Sequence, residues 1–388
     1  MILFLSSAHR ADDRRVAALA AMSLAEAGFA VLHLCVAGGP SPRGVPTLAL
    51  PQRPGPLRRV AFLARIAAAA WRQRPRVVQA NEPDTWAVAL LLKARFGCQV
   101  VFDAHEDYLD ARRLSGVPRT LRPLAARALG LIFRAFARVS DGVLCISADR
   151  AAVFPLPRRA PPVLVVRNAV HRSETLSLSR ADAATMARFD AVAVGAMGRE
   201  RGWTTMVEAT ASLPAAPFRC AIIGPVTDGS EAMLRAEIAR RGLGGRIVLT
   251  GRLARGDALT MAARGQAALV LFAAGARNHD TALPHKLFEA MALGLPVVVA
   301  QAVRPAAALV CEVGSGVTVD AAQPGAVSEV LQSLYFRPLD RLVMGELGRR
   351  ASLGKLAWEE DAAGLIPNPI DQNRCAQSRS PMDMMRPG

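Results

Sequence analysis

The strongest constraint on the fold is a repeated alternation of short apolar runs with longer helical segments along the 388 residues. The first series of apolar runs ends near Asn168 and comprises MILFLSS, AVLHLCV, RVVQAN, QVVFDAHE, GVLCIS and VLVVRN. After residue 190 a second series follows, with AVAVGAM, CAIIGPV, RIVLTGR, AALVLFA and GLPVVV. Strands that alternate with helices pair in parallel through right-handed crossovers. The sequence therefore predicts an α/β fold with two successive parallel sheets.

A polar stretch separates the two series. Residues 171–190 carry no strong strand signal, and we predict that they link an N-terminal domain of residues 1–170 to a C-terminal domain of residues 191–366. A chain of this length exceeds what one ordinary hydrophobic core fills, which favours two domains. Residues 367–388 contain Pro, Ser, Asn and Arg without periodic apolar positions, so we predict a disordered tail there.

The charge composition indicates an anionic partner. The formal net charge is +16, yet arginine supplies nearly all of the positive charge, since the only lysines are Lys93, Lys286 and Lys355. No compact basic run with interleaved aromatic residues is present, so nucleic acid is not the expected partner. A nucleotide diphosphate or an anionic lipid surface fits this pattern better.

Several features favour a cytoplasmic protein. The opening MILFLSS lacks the positive n-region and the full apolar h-region of a signal peptide. Gly28 divides the apolar stretch 16–39 into an Ala-rich helix and a β-branched strand, which makes a membrane span unnecessary. The six cysteines are scattered without a CxxC pair, and we expect buried reduced thiols. No cluster of His, Cys and carboxylate residues has metal-ligand spacing, so no metal site is predicted.

The segment ALPHKLFEAMALGLPVVV, residues 282–299, predicts an anion site. Pro284 suits the first turn of a helix and Gly294 suits its left-handed end, which places Lys286 and Glu289 on the first two turns. Helices that open at a strand end hold phosphates in α/β sheets. A lysine at a helix start opposes the macrodipole by about 0.3–1 kcal/mol, so phosphate binding explains Lys286 better than a solvated surface lysine does. For Glu289 the alternative is an ordinary salt-bridged helix residue.

Polar residues at other strand ends are further candidates. The turn GAMGRERGW carries Arg199 and Arg201, whose guanidinium groups can grip a diphosphate bidentately; the alternative is two exposed loop arginines. Gly224 either permits a close backbone approach to a nucleotide or simply forms a turn.

The N-terminal half offers its own candidates at two strand ends. Asp103, His105 and Glu106 end one predicted strand, where the carboxylates can orient and polarise His105. Asn81 and Asp84 follow the preceding strand and either touch an acceptor or cap the next helix.

Other enzyme classes are disfavoured. The loop SSAHRADDRRV after the first strand has no glycine and does not match a dinucleotide-binding fingerprint, which counts against a nicotinamide or flavin enzyme. No Ser-His-Asp or Cys-His nucleophile system is visible. We therefore predict no cofactor.

These landmarks, in this order, resemble glycosyltransferase family 4, the retaining group 1 glycosyltransferases. The similarity runs from about Asp13 to Trp358 and is carried by RVVQANEPDTW, QVVFDAHEDY, DGVLCIS, VVRNAV, VGAMGRERGWTTMVEA, IIGPV, RIVLTGR and LPHKLFEAMALGLPVVV. The resemblance implies a GT-B fold, in which two Rossmann-like domains face a cleft, the acceptor binds on the N-terminal side and the sugar nucleotide binds on the C-terminal side. It also implies transfer with retention at the anomeric carbon and without a catalytic metal.

The resemblance further implies roles for individual residues. Lys286 and Arg201 would bind the donor phosphates and neutralise the leaving group, Glu289 would hold the ribose, and His105 would approach hydroxyls of the donor sugar. The remaining donor-side candidates are Arg199, Gly202, Gly224, Asp280, Thr281 and Leu287, and the acceptor-side candidates are Asn81, Asp84, Asp103 and Glu106. Many members carry a second glutamate where this chain has Thr281, so we expect Asp280 or a backbone N–H to replace it.

Two helical segments suggest a membrane surface. Each carries three arginines on one stripe beside apolar residues: Arg58, Arg65 and Arg72 in the first, and Arg127, Arg134 and Arg138 in the second. Such helices can rest on anionic lipid and bring a polyprenyl-linked acceptor to the cleft. The alternative is that each helix only covers its own sheet.

Taken together, we expect a retaining, metal-independent glycosyltransferase that uses a nucleotide-diphosphate sugar. Its acceptor would be a glycan or a polyprenyl-linked glycan of the bacterial envelope, met in the cytoplasm or at the inner face of the plasma membrane. The alternatives are a non-catalytic GT-B protein that binds a sugar nucleotide or partners another transferase, an anion-binding interaction protein, and a sugar-nucleotide epimerase.

Overall fold

The first half of the chain forms a seven-stranded parallel sheet with the strand order β3-β2-β1-β4-β5-β6-β7. The computed structural model describes residues 1–52, 56–110, 114, 116–178, 189–213 and 218–365. The strands of this sheet are β1 (Ile2–Arg10), β2 (Val31–Val36), β3 (Thr47–Leu50), β4 (Val77–Ala80), β5 (Gln99–Ala104), β6 (Gly142–Cys145) and β7 (Val163–Val165).

The second half forms a six-stranded parallel sheet with the order β10-β9-β8-β11-β12-β13. Its strands are β8 (Ala191–Val194), β9 (Cys220–Ile223), β10 (Ile247–Leu249), β11 (Ala268–Val270), β12 (Val297–Ala300) and β13 (Gly316–Val319). The predicted α/β fold with two parallel sheets is confirmed.

Helices connect most of the strands, whereas residues 37–46 join β2 to β3 without a helix. They are α1 (Met22–Glu26), α2 (Pro56–Gln73), α3 (Pro83–Phe96), α4 (Arg122–Val139), α5 (Ala148–Val153), α6 (Arg172–Ser177), α7 (Trp203–Ser212), α8 (Glu231–Arg240), α9 (Arg255–Ala262), α10 (Arg277–Asp280), α11 (His285–Ala292), α12 (Arg304–Val313), α13 (Pro324–Phe336), α14 (Pro338–Leu353) and α15 (Trp358–Leu365). A π-helical segment (Arg14–Ala21) runs directly into α1, and a 3₁₀ turn (Arg199–Arg201) precedes α7.

The apolar runs of the sequence are buried strands. All four residues of β12 are buried, with Val297 and Val299 in one hydrophobic cluster and Val298 in the cluster on the opposite face. A parallel strand covered on both faces needs such a continuous apolar run rather than an alternating one. Gly294 ends the preceding helical stretch with a φ of +68°, a conformation that glycine adopts at little cost.

The strand orders fix where ligands can bind. In each sheet the order reverses once, between β1 and β4 in the first and between β8 and β11 in the second. Crevices form beyond the carboxyl ends of parallel strands at such reversal points. The loops that follow these four strands are therefore the expected walls of a site.

The last helix returns to the first half of the molecule. The indole Nε1 of Trp358 donates a hydrogen bond of 2.7 Å to Ser23 Oγ, and Arg167 forms an ion pair of 2.7 Å with Asp361. Helix α15 therefore packs beside the first sheet, although it follows the second sheet in the chain.

Parts of two predicted segments lie outside the described residues. The predicted tail, 367–388, falls wholly there, and so does the linker portion 179–188. The described part of the predicted linker contains the short helix α6.

The described cysteines are free thiols. Cys35, Cys98, Cys145 and Cys220 are buried as expected. The expectation is wrong for Cys311, which is exposed because it lies with Arg304, Ala308 and Glu312 on the solvent-facing side of α12.

Candidate active site

A cavity of about 420 Å³ lies between the two halves, at the carboxyl ends of both sheets. Five of the residues predicted from sequence line it: His105 and Glu106 from the first half, and Arg201, Lys286 and Glu289 from the second. Two of the predicted phosphate ligands, Arg201 and Lys286, and the predicted sugar ligand His105 thus face one space, although they lie far apart in the chain.

Lys286 lies in the first turn of α11, after Pro284 at the N-cap. Its ammonium group lies 5.0 Å from the centre of the Phe272 ring. Burial, together with the positive charge of Arg201, lowers the pKa of Lys286 to about 7. A bound diphosphate would offset both effects, so the position is suited to an anion.

Glu289 belongs to an ion-pair network that joins both halves. Its carboxylate accepts a hydrogen bond of 2.9 Å from Arg255 Nη2 and lies 3.9 Å from Arg14 Nε. Glu174 pairs with the same two arginines, at 2.9 Å from Arg14. The carboxylate predicted to hold a ribose is therefore held by arginine in this structure.

Arg199 and Arg201, the two arginines predicted to bind a diphosphate, have different surroundings in the turn before α7. Arg201 lines the cavity and donates a hydrogen bond of 2.9 Å to the carbonyl oxygen of Ala196. Arg199 is exposed and lies over the Trp203 ring at 5.9 Å, and the cavity lining does not include it. Gly202 between them and α7 has a φ of +88°, and a Cβ there would lie 2.1 Å from the carbonyl oxygen of Leu271.

A second cavity of about 310 Å³ adjoins the first and shares Glu289 and Gly195 with it. Gly224 lines it, and its place beside a nucleotide stays a prediction. A Cβ on Gly224 would lie 2.3 Å from the carbonyl oxygen of Gly195, so only glycine fits there without a shift of the backbone. The two cavities together form one path along the edge of the second sheet.

His105 is held in a neutral form with one nitrogen available. Its Nδ1 lies 3.1 Å from the carbonyl oxygen of Asp103, which can only accept, so Nδ1 carries the proton. Burial lowers the pKa of His105, and the carboxylate of Asp103 only partly opposes this effect. Nε2 is therefore an acceptor. The Asp103 carboxylate is itself buried and pairs with Arg15 through two hydrogen bonds of 2.8 Å.

The other acceptor-side candidates serve the packing of the first sheet. The Asn81 amide is buried and donates to Leu5 O and Ser6 Oγ, both at 3.0 Å. The Asp84 carboxylate accepts from Ser7 Oγ at 2.5 Å and pairs with Arg59. The cavity lining includes neither residue, so a contact with an acceptor remains a prediction for both.

Three donor-side candidates also lie away from the cavity lining. Thr281 is fully buried, and its hydroxyl donates to the carbonyl oxygen of Arg277 at 3.0 Å. Leu287 is part of the hydrophobic core, and Asp280 accepts a hydrogen bond of 3.2 Å from the backbone of Gly275. The side chain at position 281 thus faces the protein interior.

Two family models match the chain, one over its N-terminal half and one over its C-terminal half. A glycosyl transferase 4-like domain covers residues 14–169, and a glycosyl transferases group 1 domain covers residues 180–351. The chain belongs to the group 1 glycosyltransferases. No curated protein sequence matches it.

Solved structures of distant relatives show the same fold. Sucrose-phosphate synthase from Thermosynechococcus elongatus is 16% identical, with a TM-score of 0.72 over 98% of this chain and 100% of its own. HepE from Anabaena, solved in complex with UDP-glucose, is 15% identical, with a TM-score of 0.70 over 97% and 99% of the two chains. WaaG, a glycosyltransferase involved in lipopolysaccharide biosynthesis, is 15% identical, with a TM-score of 0.68 over 95% and 100%. The fold is therefore GT-B.

The structure of this glycosyltransferase adds residues that the sequence patterns did not single out. The carboxyl end of β1 and the turn after it bring His9 and Asp13 into the cavity, and the ring of His9 lies 5.0 Å from the ring of His105. His279 and His285 line it from the other side. The segment SSAHRADDRR forms the carboxyl end of β1 and the turn after it, and this placement is by itself a signal for a site although the segment lacks glycine.

Two absences hold for the described part of the chain. There, no three His, Cys, Asp or Glu side chains cluster as metal ligands would. Among the same residues, no helix combines the length and the apolar character that crossing a bilayer requires.

Proposed function

We propose that this protein is a retaining, metal-independent glycosyltransferase that moves a sugar from a nucleotide-diphosphate donor to a glycan or polyprenyl-linked acceptor. The observation that carries the proposal is the single cavity in which Lys286, Arg201, Glu289 and His105 meet. Retention of configuration and the absence of a metal requirement rest on the resemblance of the sequence motifs to glycosyltransferase family 4.

The chemistry is electrostatic. When the glycosidic bond breaks, the negative charge grows on the diphosphate, and the cationic groups of Arg201 and Lys286 stabilise it in the cavity. Helix α11 adds the positive end of its dipole. In this proposal protein cations take the part that a metal ion plays in other transferases.

The donor is positioned at two further points. Glu289 accepts hydrogen bonds from the ribose hydroxyls once Arg255 yields its place, and the second cavity with Gly224 receives the base. His105 Nε2 accepts a hydrogen bond from a hydroxyl of the donor sugar. Closure of the two halves excludes water and so protects the donor from hydrolysis.

Two of the similar structures support a nucleotide-sugar donor and a product that belongs to an envelope polysaccharide. HepE was solved with UDP-glucose, which favours a nucleotide-diphosphate sugar here. WaaG acts in lipopolysaccharide biosynthesis, which favours an envelope polysaccharide as the product.

The surface of the first half supports a peripheral place at the inner face of the plasma membrane. On α4 the apolar side chains of Leu124, Leu131 and Ile132 are 65%, 64% and 47% exposed, next to exposed arginines. On α2, Val60 and Trp71 are exposed, while Phe62 and Ile66 cover the sheet. Exposed apolar residues combined with arginine suit anionic lipid.

Nucleotide binding tests the proposal most directly. We expect UDP or GDP to raise the melting temperature of the purified protein in the presence of EDTA, and Lys286→Ala to abolish the shift. Lys355→Ala is the matched control, because Lys355 is exposed and pairs with Glu312. A protein that no nucleotide stabilises would contradict the proposal. Once an acceptor is found, NMR of the product's anomeric proton would test retention.

A further inference from the structure

The cavity contains a polar pair beside His105 that the phosphate and ribose contacts leave unused. His9 and Asp13 both line it, and the ring centres of His9 and His105 are 5.0 Å apart. Whatever lies within reach of His105 Nε2 therefore lies near His9 as well.

The pair is held rigidly. His9 Nδ1 lies 2.8 Å from Asp13 Oδ2, and the other Asp13 oxygen accepts the backbone N–H of Val16 at 2.9 Å. The buried Glu82 carboxylate accepts the backbone N–H groups of Ser7, Ala8 and His9 at 2.8, 2.8 and 3.2 Å. Side chains fixed in this way lose little freedom when a ligand binds them.

The chemistry of the pair matches sugar hydroxyls, which need hydrogen-bond donors and acceptors side by side. Burial alone would lower the pKa of His9, but the hydrogen bond to Asp13 and the charges of Asp13, Glu82 and Asp103 outweigh it and raise the pKa to about 9. His9 therefore donates from both ring nitrogens at neutral pH, with Nε2 3.6 Å from Glu82 Oε1. The Asp13 carboxylate has room for further hydrogen bonds, because it offers about four lone-pair sites.

Two residues of the C-terminal half that the sequence suggested as donor ligands are engaged elsewhere. The Thr281 hydroxyl is buried and donates to the carbonyl oxygen of Arg277 at 3.0 Å, and Asp280 accepts the backbone N–H of Gly275 at 3.2 Å. We propose that His9 and Asp13, beside His105, bind hydroxyl groups of the donor sugar in this protein. This inference rests on the proposed function.

The test compares two ligands and needs no acceptor. The dissociation constants of UDP and UDP-glucose, or of GDP and GDP-mannose if GDP is the nucleotide that binds, are measured by calorimetry. We expect Asp13→Asn and His9→Gln each to weaken the binding of the sugar nucleotide about tenfold relative to the binding of its nucleoside diphosphate. The affinity for the diphosphate alone should stay within about twofold.

The variants are chosen to keep the fold. Asparagine caps a helix as well as aspartate does, and the glutamine amide can still donate to Asp13. Asp12→Asn is the matched control: Asp12 precedes Asp13, is 42% exposed, pairs with Arg10 and does not line the cavity. Melting temperatures of all variants are recorded alongside.

The possible outcomes distinguish a failure of this inference from a failure of the proposed function. The inference is supported if the ratio of the dissociation constants of sugar nucleotide and nucleoside diphosphate changes about tenfold in both variants and stays unchanged in Asp12→Asn. An unchanged ratio, or an equal loss for the diphosphate and the sugar nucleotide, overturns it while leaving the proposed function intact. If the wild-type protein bound neither nucleotide, the proposed function and this inference would both fail.

Discussion

Arg255 Nη2 donates a hydrogen bond of 2.9 Å to the carboxylate of Glu289, the group that the sequence motif predicts as the ribose ligand. Arg14 approaches the same carboxylate from the first half of the chain at 3.9 Å. A nucleotide that binds Glu289, as proposed, competes with arginine for this carboxylate, and its binding would be coupled to the contacts that join the two halves.

Replacement of Glu289 tests this relationship. We expect Glu289→Gln to weaken UDP or GDP binding about tenfold, because a neutral amide accepts weaker hydrogen bonds than a carboxylate does. Calorimetry measures the change, with Glu312→Gln as the control on an exposed glutamate that pairs with Lys355. Equal affinities in the wild type and Glu289→Gln would remove Glu289 from the nucleotide site.

The titration of Lys286 should appear in nucleotide binding. Its pKa is lowered to about 7 by burial and by Arg201, and a bound diphosphate favours the charged form and raises this pKa. Above pH 7 the protein must then take up a proton to bind, so affinity should fall several-fold per pH unit between pH 7 and pH 9.

Calorimetry at pH 8 in two buffers of different ionisation enthalpy measures that proton uptake. We expect close to one proton for the wild type and almost none for Lys286→Arg, because arginine stays charged throughout this range. The same proton uptake in both proteins would assign the titration to another group.

Gly202 should be indispensable for stability. A Cβ at this position would lie 2.1 Å from Leu271 O, and the backbone has a φ of +88°. We expect Gly202→Ala to lower the free energy of unfolding by about 2–4 kcal/mol. Gly244→Ala, with no heavy atom within 4 Å of its added Cβ, should change it by less than about 0.5 kcal/mol. Denaturant titration of both variants measures the difference, and equal stabilities would contradict the geometry at Gly202.

The exposed arginines of α4 should control membrane binding. Changing Arg127, Arg134 and Arg138 to Gln together should weaken binding to phosphatidylglycerol vesicles by about 1 kcal/mol for each arginine. The control changes three exposed arginines elsewhere, Arg235, Arg240 and Arg350. Co-sedimentation at moderate salt is the assay. An equal loss in the control would show that overall charge, and not α4, controls vesicle binding. No vesicle binding by the wild type would contradict the peripheral place at the membrane.

Sequence patterns located Lys286 and Glu289 because helix signals fix their positions relative to a strand end. Proline at the N-cap and glycine after the last turn define α11, and a helix start at a strand end faces the crevice. No such local rule applies to Asn81 or Asp84. Their side chains turn toward Leu5, Ser6 and Ser7, about 75 residues earlier in the chain, because those groups lie on the neighbouring strand.

The carboxyl end of β1 shows the reverse case. The glycine fingerprint, which this segment lacks, gives no indication of His9 or Asp13. Their place in the cavity depends on Glu82, which follows the neighbouring strand β4 and accepts hydrogen bonds from three consecutive backbone N–H groups of β1. A contact across more than 70 residues leaves no periodic trace in the sequence.

The sequence by itself determined the two parallel sheets, the order of their elements and the helix that carries Lys286, because hydrophobic periodicity and helix-end residues act over a few positions. Only the tertiary structure decided which polar residues face the cavity, that Thr281 is buried, and that Arg14, Glu174, Arg255 and Glu289 join into one network. The physical reason is that a charged side chain pairs with whichever group packing brings within hydrogen-bond distance. Which group this is depends on how the strands pair.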